Sequence, residues 1–176
     1  MNKKNYKEIL PRIKTFIFDV DGVLTNGKVM ITTQGEMYRE MDTKDGYALK
    51  CALEQGYKVC IISGGTNEGV RSRLKTLGVF DIYLGAHRKE EAFQDLLDSY
   101  DLDPEEILYM GDDVPDIIVM EKVALGTCPN DAVTDVKEMA DYISNKKGGE
   151  GCVRDIIEQT LRVQGKWRTD LGAKND

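Results

Sequence analysis

An apolar run that ends abruptly in two aspartates constrains this chain more than any other feature: Phe16-Ile17-Phe18-Asp19-Val20-Asp21-Gly22-Val23-Leu24-Thr25. Ile13 to Val20 reads as a buried strand. On an extended backbone residues i and i+2 point the same way, so Asp19 and Asp21 are expected to project together from the strand end. Two carboxylates there repel each other and resist desolvation, so the pair needs a cation or a task. Alone, the same residues would also suit a solvated Asp-Gly turn.

Later segments decide between these readings. Ser63-Gly64-Gly65 follows Val59-Cys60-Ile61-Ile62, and Gly111-Asp112-Asp113-Val114-Pro115-Asp116 follows Ile107-Leu108-Tyr109-Met110. Lys89 sits at the start of a helical pattern. Singly, these read as a strand-to-helix loop, a helix N-cap and a solvated first turn. In an open parallel sheet, however, ligands bind beyond the carboxyl ends of the strands. The chain therefore delivers two acidic clusters, a hydroxyl and an ammonium to one edge.

The rest of the pattern supplies such a sheet. Strands are expected near 15–20, 58–62, 82–84, 107–110, 123–125 and 142–143, and helices near 46–55, 67–77, 89–100, 114–121, 132–139 and 151–162. Asp103-Pro104-Glu105-Glu106 predicts a short helical turn. The alternation predicts an α/β fold, a Rossmann-like doubly wound and mostly parallel sheet. Lys28 to Glu40 interrupts it with two extended runs around Gln34-Gly35, which predicts a β-hairpin flap too short to be a cap domain. Residues 1–163 are expected to form a single domain, and residues 164–176 a polar, frayed tail.

The formal charge of −7 disfavours nonspecific nucleic-acid binding. No apolar run is long enough to span a bilayer, and the N-terminus lacks the apolar stretch of a signal peptide. Cys51, Cys60, Cys128 and Cys152 are widely spaced, which fits buried thiols of a reducing cytosol better than disulfides or zinc ligands.

From Ile13 to Leu161 these motifs, in this order, resemble the phosphatases of the haloacid dehalogenase superfamily, specifically its capless group. The resemblance implies that Asp19 attacks phosphorus to form an aspartyl-phosphate and that Asp21 serves as general acid and base. It implies Mg²⁺ held by the Asp19 side chain, the Asp21 carbonyl and Asp112, with Asp113 and Asp116 orienting those ligands or Lys89. Ser63, with the N–H groups of Gly64 and Gly65, would hold the phosphoryl oxygens, and Lys89 would neutralise their transition-state charge. Phospho-aspartate receiver domains are a different class on a similar fold. They typically pair adjacent acids after the first strand, whereas this chain carries Asp19-x-Asp21 there, which favours turnover over switching.

Further segments narrow the resemblance: Lys44-Asp45-Gly46-Tyr47, Leu77-Gly78-Val79, Tyr83-Leu84-Gly85 and Gly148-Gly149-Glu150-Gly151-Cys152-Val153-Arg154-Asp155. They are similar to the tetrameric phosphatases that act on 3-deoxy-D-manno-octulosonate 8-phosphate in lipopolysaccharide Kdo synthesis. That implies substrate contacts at Asp42, Thr43, Lys44, Asp45, Gly46, Lys50, Arg73 and Lys89, and a Gly148–Arg154 stretch reaching a neighbouring subunit's site. It also implies a cytoplasmic, bacterial homo-oligomer. Phosphatases of nine-carbon sugar acid 9-phosphates are the alternative. Gly65 stands where some relatives carry Arg or Glu, Lys44 where Arg is expected and Asp42 where Asn is, which bears on the substrate rather than on phosphoryl transfer.

Overall fold

A computed structural model describes residues 5–167. Its element order is α1 (Tyr6–Ile9), β1 (Thr15–Phe18), β2 (Met30–Ile31), β3 (Met37–Tyr38), α2 (Thr43–Glu54), β4 (Lys58–Ile62), α3 (Glu68–Thr76), β5 (Asp81–Tyr83), α4 (Lys89–Tyr100), β6 (Ile107–Met110), α5 (Ile117–Met120), β7 (Leu125–Cys128), α6 (Thr134–Met139), β8 (Tyr142–Ile143) and α7 (Cys152–Val163). Six strands form one parallel sheet in the order β5-β4-β1-β6-β7-β8, and β2 pairs with β3 alone. This is the doubly wound α/β fold that the alternation predicts.

Strand periodicity separates two apolar layers. Phe16, Phe18, Val59, Ile61, Leu108 and Met110 pack on the side of α2, α3 and α7. Ile17, Cys60, Ile62 and Tyr109 face the other side, with Phe93 and Leu96 of α4, Val119 of α5 and Val136 of α6. β1 lies centrally, hydrogen-bonded to β4 and β6, so its carboxyl end meets theirs at one edge.

The structure departs from the pattern at several points. β1 stops at Phe18, and Val20 to Leu24 wind into a turn closed by the Thr25 N–H on the Val20 carbonyl (3.0 Å). Asp19 and Asp21 therefore do not converge by strand alternation. Gly22 makes the turn possible: its φ is +87°, and a Cβ there would lie 1.9 Å from the Asp112 carboxylate. The helix expected over 114–121 is a 3₁₀ turn at Val114–Asp116 followed by α5. The last long strand runs at Leu125–Cys128 rather than 123–125. The Asp103 turn forms as expected, with its side chain accepting from Glu105 N.

The expected hairpin is present as β2 and β3, with Met30 opposite Tyr38 and Ile31 opposite Met37. At the other end of the chain Gln164 Nε2 donates to the carbonyls of Leu10 (2.9 Å) and Ile13 (2.8 Å), and Trp167 meets Tyr47 edge-on. Residues 168–176 of the expected tail lie outside the described residues.

Candidate active site

Where β1, β4 and β6 end, a cavity of about 380 Å³ opens, and Asp19, Asp21, Ser63, Gly64, Lys89 and Asp112 line it. Asp19 and Ser63 directly follow β1 and β4, Asp112 comes two residues after β6, and Lys89 opens α4. The Asp19 N–H donates to the Met110 carbonyl (3.0 Å), extending the β1–β6 ladder by one residue, and Asp19 Oδ1 accepts from Val20 N (2.7 Å). Ser63 follows β4; its N–H donates to the Tyr83 carbonyl (2.9 Å) and its Oγ accepts from Gly65 N (3.2 Å). Lys89 is the first residue of α4.

The lysine ammonium is the centre of the charge arrangement. Its side chain is only 6% exposed, and Nζ lies 3.0 Å from Asp19 Oδ2 and 2.6 Å from Asp116 Oδ1. Burial alone would depress its pKa, but Asp19 and Asp116 outweigh it and the net shift is upward. Lys89 is therefore held charged. Asp116, wholly buried, is saturated. Its Oδ1 also accepts from Tyr109 Oη (2.5 Å), and its Oδ2 accepts from the N–H groups of Asp112 (3.1 Å) and Asp113 (3.2 Å). Asp116 thus fixes both Lys89 and the Asp112 loop.

Asp19 and Asp112 carry a surplus of negative charge. Burial, then Asp116, pushes the Asp19 carboxyl up to about 6. Burial, then Asp19, Asp116 and Asp113, pushes Asp112 up to about 7. Among the described residues no donor reaches the Asp112 carboxylate. Oxygens of Asp19, Asp112 and Asp116 lie within 4.8 Å of one another. With Asp116 saturated, Asp19 and Asp112 remain as a hard, all-oxygen donor pair crowded by like charge, which is the chemistry of a Mg²⁺ site.

Several residues expected at the substrate lie off this cavity. Asp42 caps α2, accepting from Lys44 N (2.7 Å). Asp45 is 1% exposed and accepts from Arg154 N (2.7 Å), near the start of α7. Lys44 lines a separate cavity with Arg154 and Arg162. Thr43 opens α2, while Gly46 and Lys50 lie along it; Gly46 backs onto the Arg73 guanidinium. Arg73 lines a larger cavity of about 640 Å³ between the β2–β3 flap and α3. The Gly148–Arg154 stretch begins by packing on its own chain: a Cβ on Gly148 would lie 1.9 Å from the Gly22 carbonyl oxygen, and Gly149 N donates to the Val23 carbonyl (2.9 Å). Close approach to the catalytic turn, rather than looseness, explains that glycine.

One site residue carries no signal in the sequence. Arg39, just after β3, forks onto Asp21, with Nε 2.6 Å from Oδ1 and Nη2 3.1 Å from Oδ2. In Tyr38-Arg39-Glu40 it reads as one more solvated hairpin residue.

Comparison with known proteins agrees with this geometry. A family model for haloacid dehalogenase-like hydrolases matches residues 74–156. The 3-deoxy-D-manno-octulosonate 8-phosphate phosphatase KdsC of Salmonella typhi is 40% identical over 154 residues, covering 88% of this chain and 82% of that protein. The crystal structure of the phosphatase of that name from Yersinia pestis superposes with a TM-score of 0.90 at 32% identity, covering 93% of this chain and 88% of the other. The Moraxella catarrhalis enzyme, solved with magnesium, phosphate and KDO, gives 0.87 at 29% identity, with 90% and 91% covered. The chain belongs to the haloacid dehalogenase-like hydrolases, in the family of the KdsC phosphatases.

Proposed function

We propose that this protein hydrolyses 3-deoxy-D-manno-octulosonate 8-phosphate to the free sugar acid and phosphate, as a Mg²⁺-dependent phosphomonoesterase. The observation that carries the mechanism is the Lys89 ammonium set between Asp19 and the saturated Asp116, near an Asp112 carboxylate that no donor among the described residues reaches. The relatives' activity carries the substrate.

Asp19 Oδ attacks phosphorus as the bond to the sugar's C8 oxygen breaks, and Asp21 gives that oxygen its proton. Water then attacks the aspartyl-phosphate, Asp21 takes a proton from it, and the Asp19–phosphorus bond breaks to release phosphate. Lys89 and Ser63 hold the phosphoryl oxygens through both steps, and Lys89 offsets the charge that grows on them. Asp19, Asp112 and the Asp21 carbonyl would hold Mg²⁺, which relieves the repulsion between a carboxylate nucleophile and a phosphate dianion. Residues 1–163 act as one catalytic domain in the bacterial cytoplasm. The protein works as a homo-oligomer, a tetramer. The exposed apolar flap supports this, as does the exposure of Glu150, Lys146 and Lys147 for a neighbour to meet.

Phosphate release with Mg²⁺ tests the substrate. The panel holds the eight-carbon keto-acid 8-phosphate, a nine-carbon 9-phosphate, hexose phosphates and an aryl phosphate. The eight-carbon acid is expected to give the highest kcat/KM, by tenfold or more. A preference for the nine-carbon acid would overturn the substrate and keep the chemistry.

A further inference from the structure

Arg39 ends the flap where two cavities meet: it forks onto Asp21 in the phosphoryl cavity and lines the larger cavity between flap and α3. Its side chain is only 9% exposed, and Nη1 is buried with no hydrogen-bond partner among the described residues. A buried guanidinium donor left unpaired is costly, so the position makes sense if something else accepts from it. The same cavity holds Arg73, which makes no ion pair among the described residues. Two cations thus share one cavity beside a phosphoryl site that already has its own cation in Lys89. A backbone choice keeps this arrangement open. A Cβ on Gly65 would lie 3.1 Å from Asp21 Oδ2 and 3.7 Å from Arg39 Nη2, so any side chain there would press on the ion pair.

We propose that Arg39 is a specificity residue, brought in by the flap, whose guanidinium binds the substrate's carboxylate in the cavity it shares with Arg73. This rests on the keto-acid phosphate reading, because such a substrate carries two anions and the site offers two separate cationic places. The fork to Asp21 uses Nε and Nη2, so both contacts coexist. Arg39 then also ties the flap's position to the carboxyl that moves the proton.

The test is a discrimination ratio rather than a bare loss of activity. kcat and KM are measured for wild type, Arg39→Ala, Arg39→Gln and Arg39→Lys with three substrates. These are the eight-carbon keto-acid 8-phosphate, a sugar phosphate of similar length without the carboxylate, and an aryl phosphate. Every substrate should lose some rate, since Arg39 also orients Asp21. The carboxylate-bearing substrate should lose at least tenfold more kcat/KM than the others in the Ala and Gln variants, chiefly through KM. That is the scale of one charge-assisted hydrogen bond. Lysine should recover part of the difference, since a point charge replaces a planar fork. Equal losses on all three substrates would overturn the assignment and leave Arg39 a positioning residue for Asp21. A wild-type enzyme with no preference for the carboxylate would overturn the substrate reading along with it.

Discussion

Asp45 carries a charge that its surroundings do not favour. Burial, helped by Asp42, pushes its carboxyl up to about 7; Oδ1 accepts from Arg154 N, and Oδ2 is buried with no partner among the described residues. The folded protein therefore binds a proton at Asp45 between about pH 4 and 7 that the unfolded chain does not hold. Stability falls with pH wherever the folded state binds more protons, so this group costs stability as pH rises through that window. Asp45→Asn keeps an acceptor for Arg154 N and removes the charge. Its unfolding free energy relative to wild type should improve from pH 5 to about pH 7 and level off above it, by on the order of a few kcal/mol in all. Urea melts at each pH would show it, and parallel wild-type and variant curves would refute the assignment. Asp45 also shows the limit of reading residues from sequence. Asp19, Ser63, Lys89 and Asp112 were legible because their order along the chain is distinctive. Asp45 came with a motif, yet the fold uses its carboxylate near the start of α7, a pairing 109 residues apart that no local pattern encodes. Arg39 was invisible for the same reason, since only the return of the flap brings it to Asp21.

At the scale of elements, β4 and β6 ended where their apolar runs ended, and α4 and α7 followed their apolar faces. The misses fell on short pieces. Nothing in the pattern marks α1 beyond Asn5, whose side chain caps it at Lys7 N. The turn after β1 needs Gly22 twice over, for its positive φ and because the Asp112 carboxylate leaves no room for a side chain there, and the second need is tertiary. The flap's attachment is equally tertiary: Asn67 Nδ2 donates to the Met37 carbonyl (2.9 Å), while Asn67 Oδ1 caps α3 by accepting from Val70 N (3.2 Å). One side chain thus starts a helix and holds the flap, and two variants separate these roles. Asn67→Asp keeps the cap acceptor and gains from the helix N-terminus, but loses the donor to Met37. It should melt within a few degrees of wild type while the flap amides of Thr32 and Glu36 exchange faster. Asn67→Ala loses both contacts and should cost about 1 kcal/mol of stability as well. Hydrogen exchange with thermal melts distinguishes the two, and an Asp variant with unchanged flap exchange would show that Met37 is held by something else.

At the scale of the whole molecule, a net charge of −7 should keep chains apart, yet the flap presents Met30, Ile31, Met37 and Tyr38 at 67%, 70%, 44% and 53% exposure. Adjacent apolar side chains this exposed mark an interface more often than a free surface. The flap is a two-stranded ribbon attached to the body at its base, with Met30 and Tyr38 on one face and Ile31 and Met37 on the other, and such a ribbon is marginal in water unless it is covered. A second copy of the same ribbon offers a matching apolar surface, and a closed ring of copies could cover both faces. Sedimentation velocity should therefore find an oligomer at micromolar concentration. Met30→Glu with Ile31→Glu puts one carboxylate on each face of the ribbon, so whichever face meets the neighbour would have to bury one. It should weaken assembly by about two orders of magnitude or more and leave the melting of the separated chain close to that of the body alone. If neighbours also help to exclude water from the site, kcat/KM of this variant should rise with protein concentration while the wild type stays flat. A wild-type chain that sediments as a monomer would instead leave the flap's apolar face to cover the substrate, and the charged variant would then lose activity without changing mass.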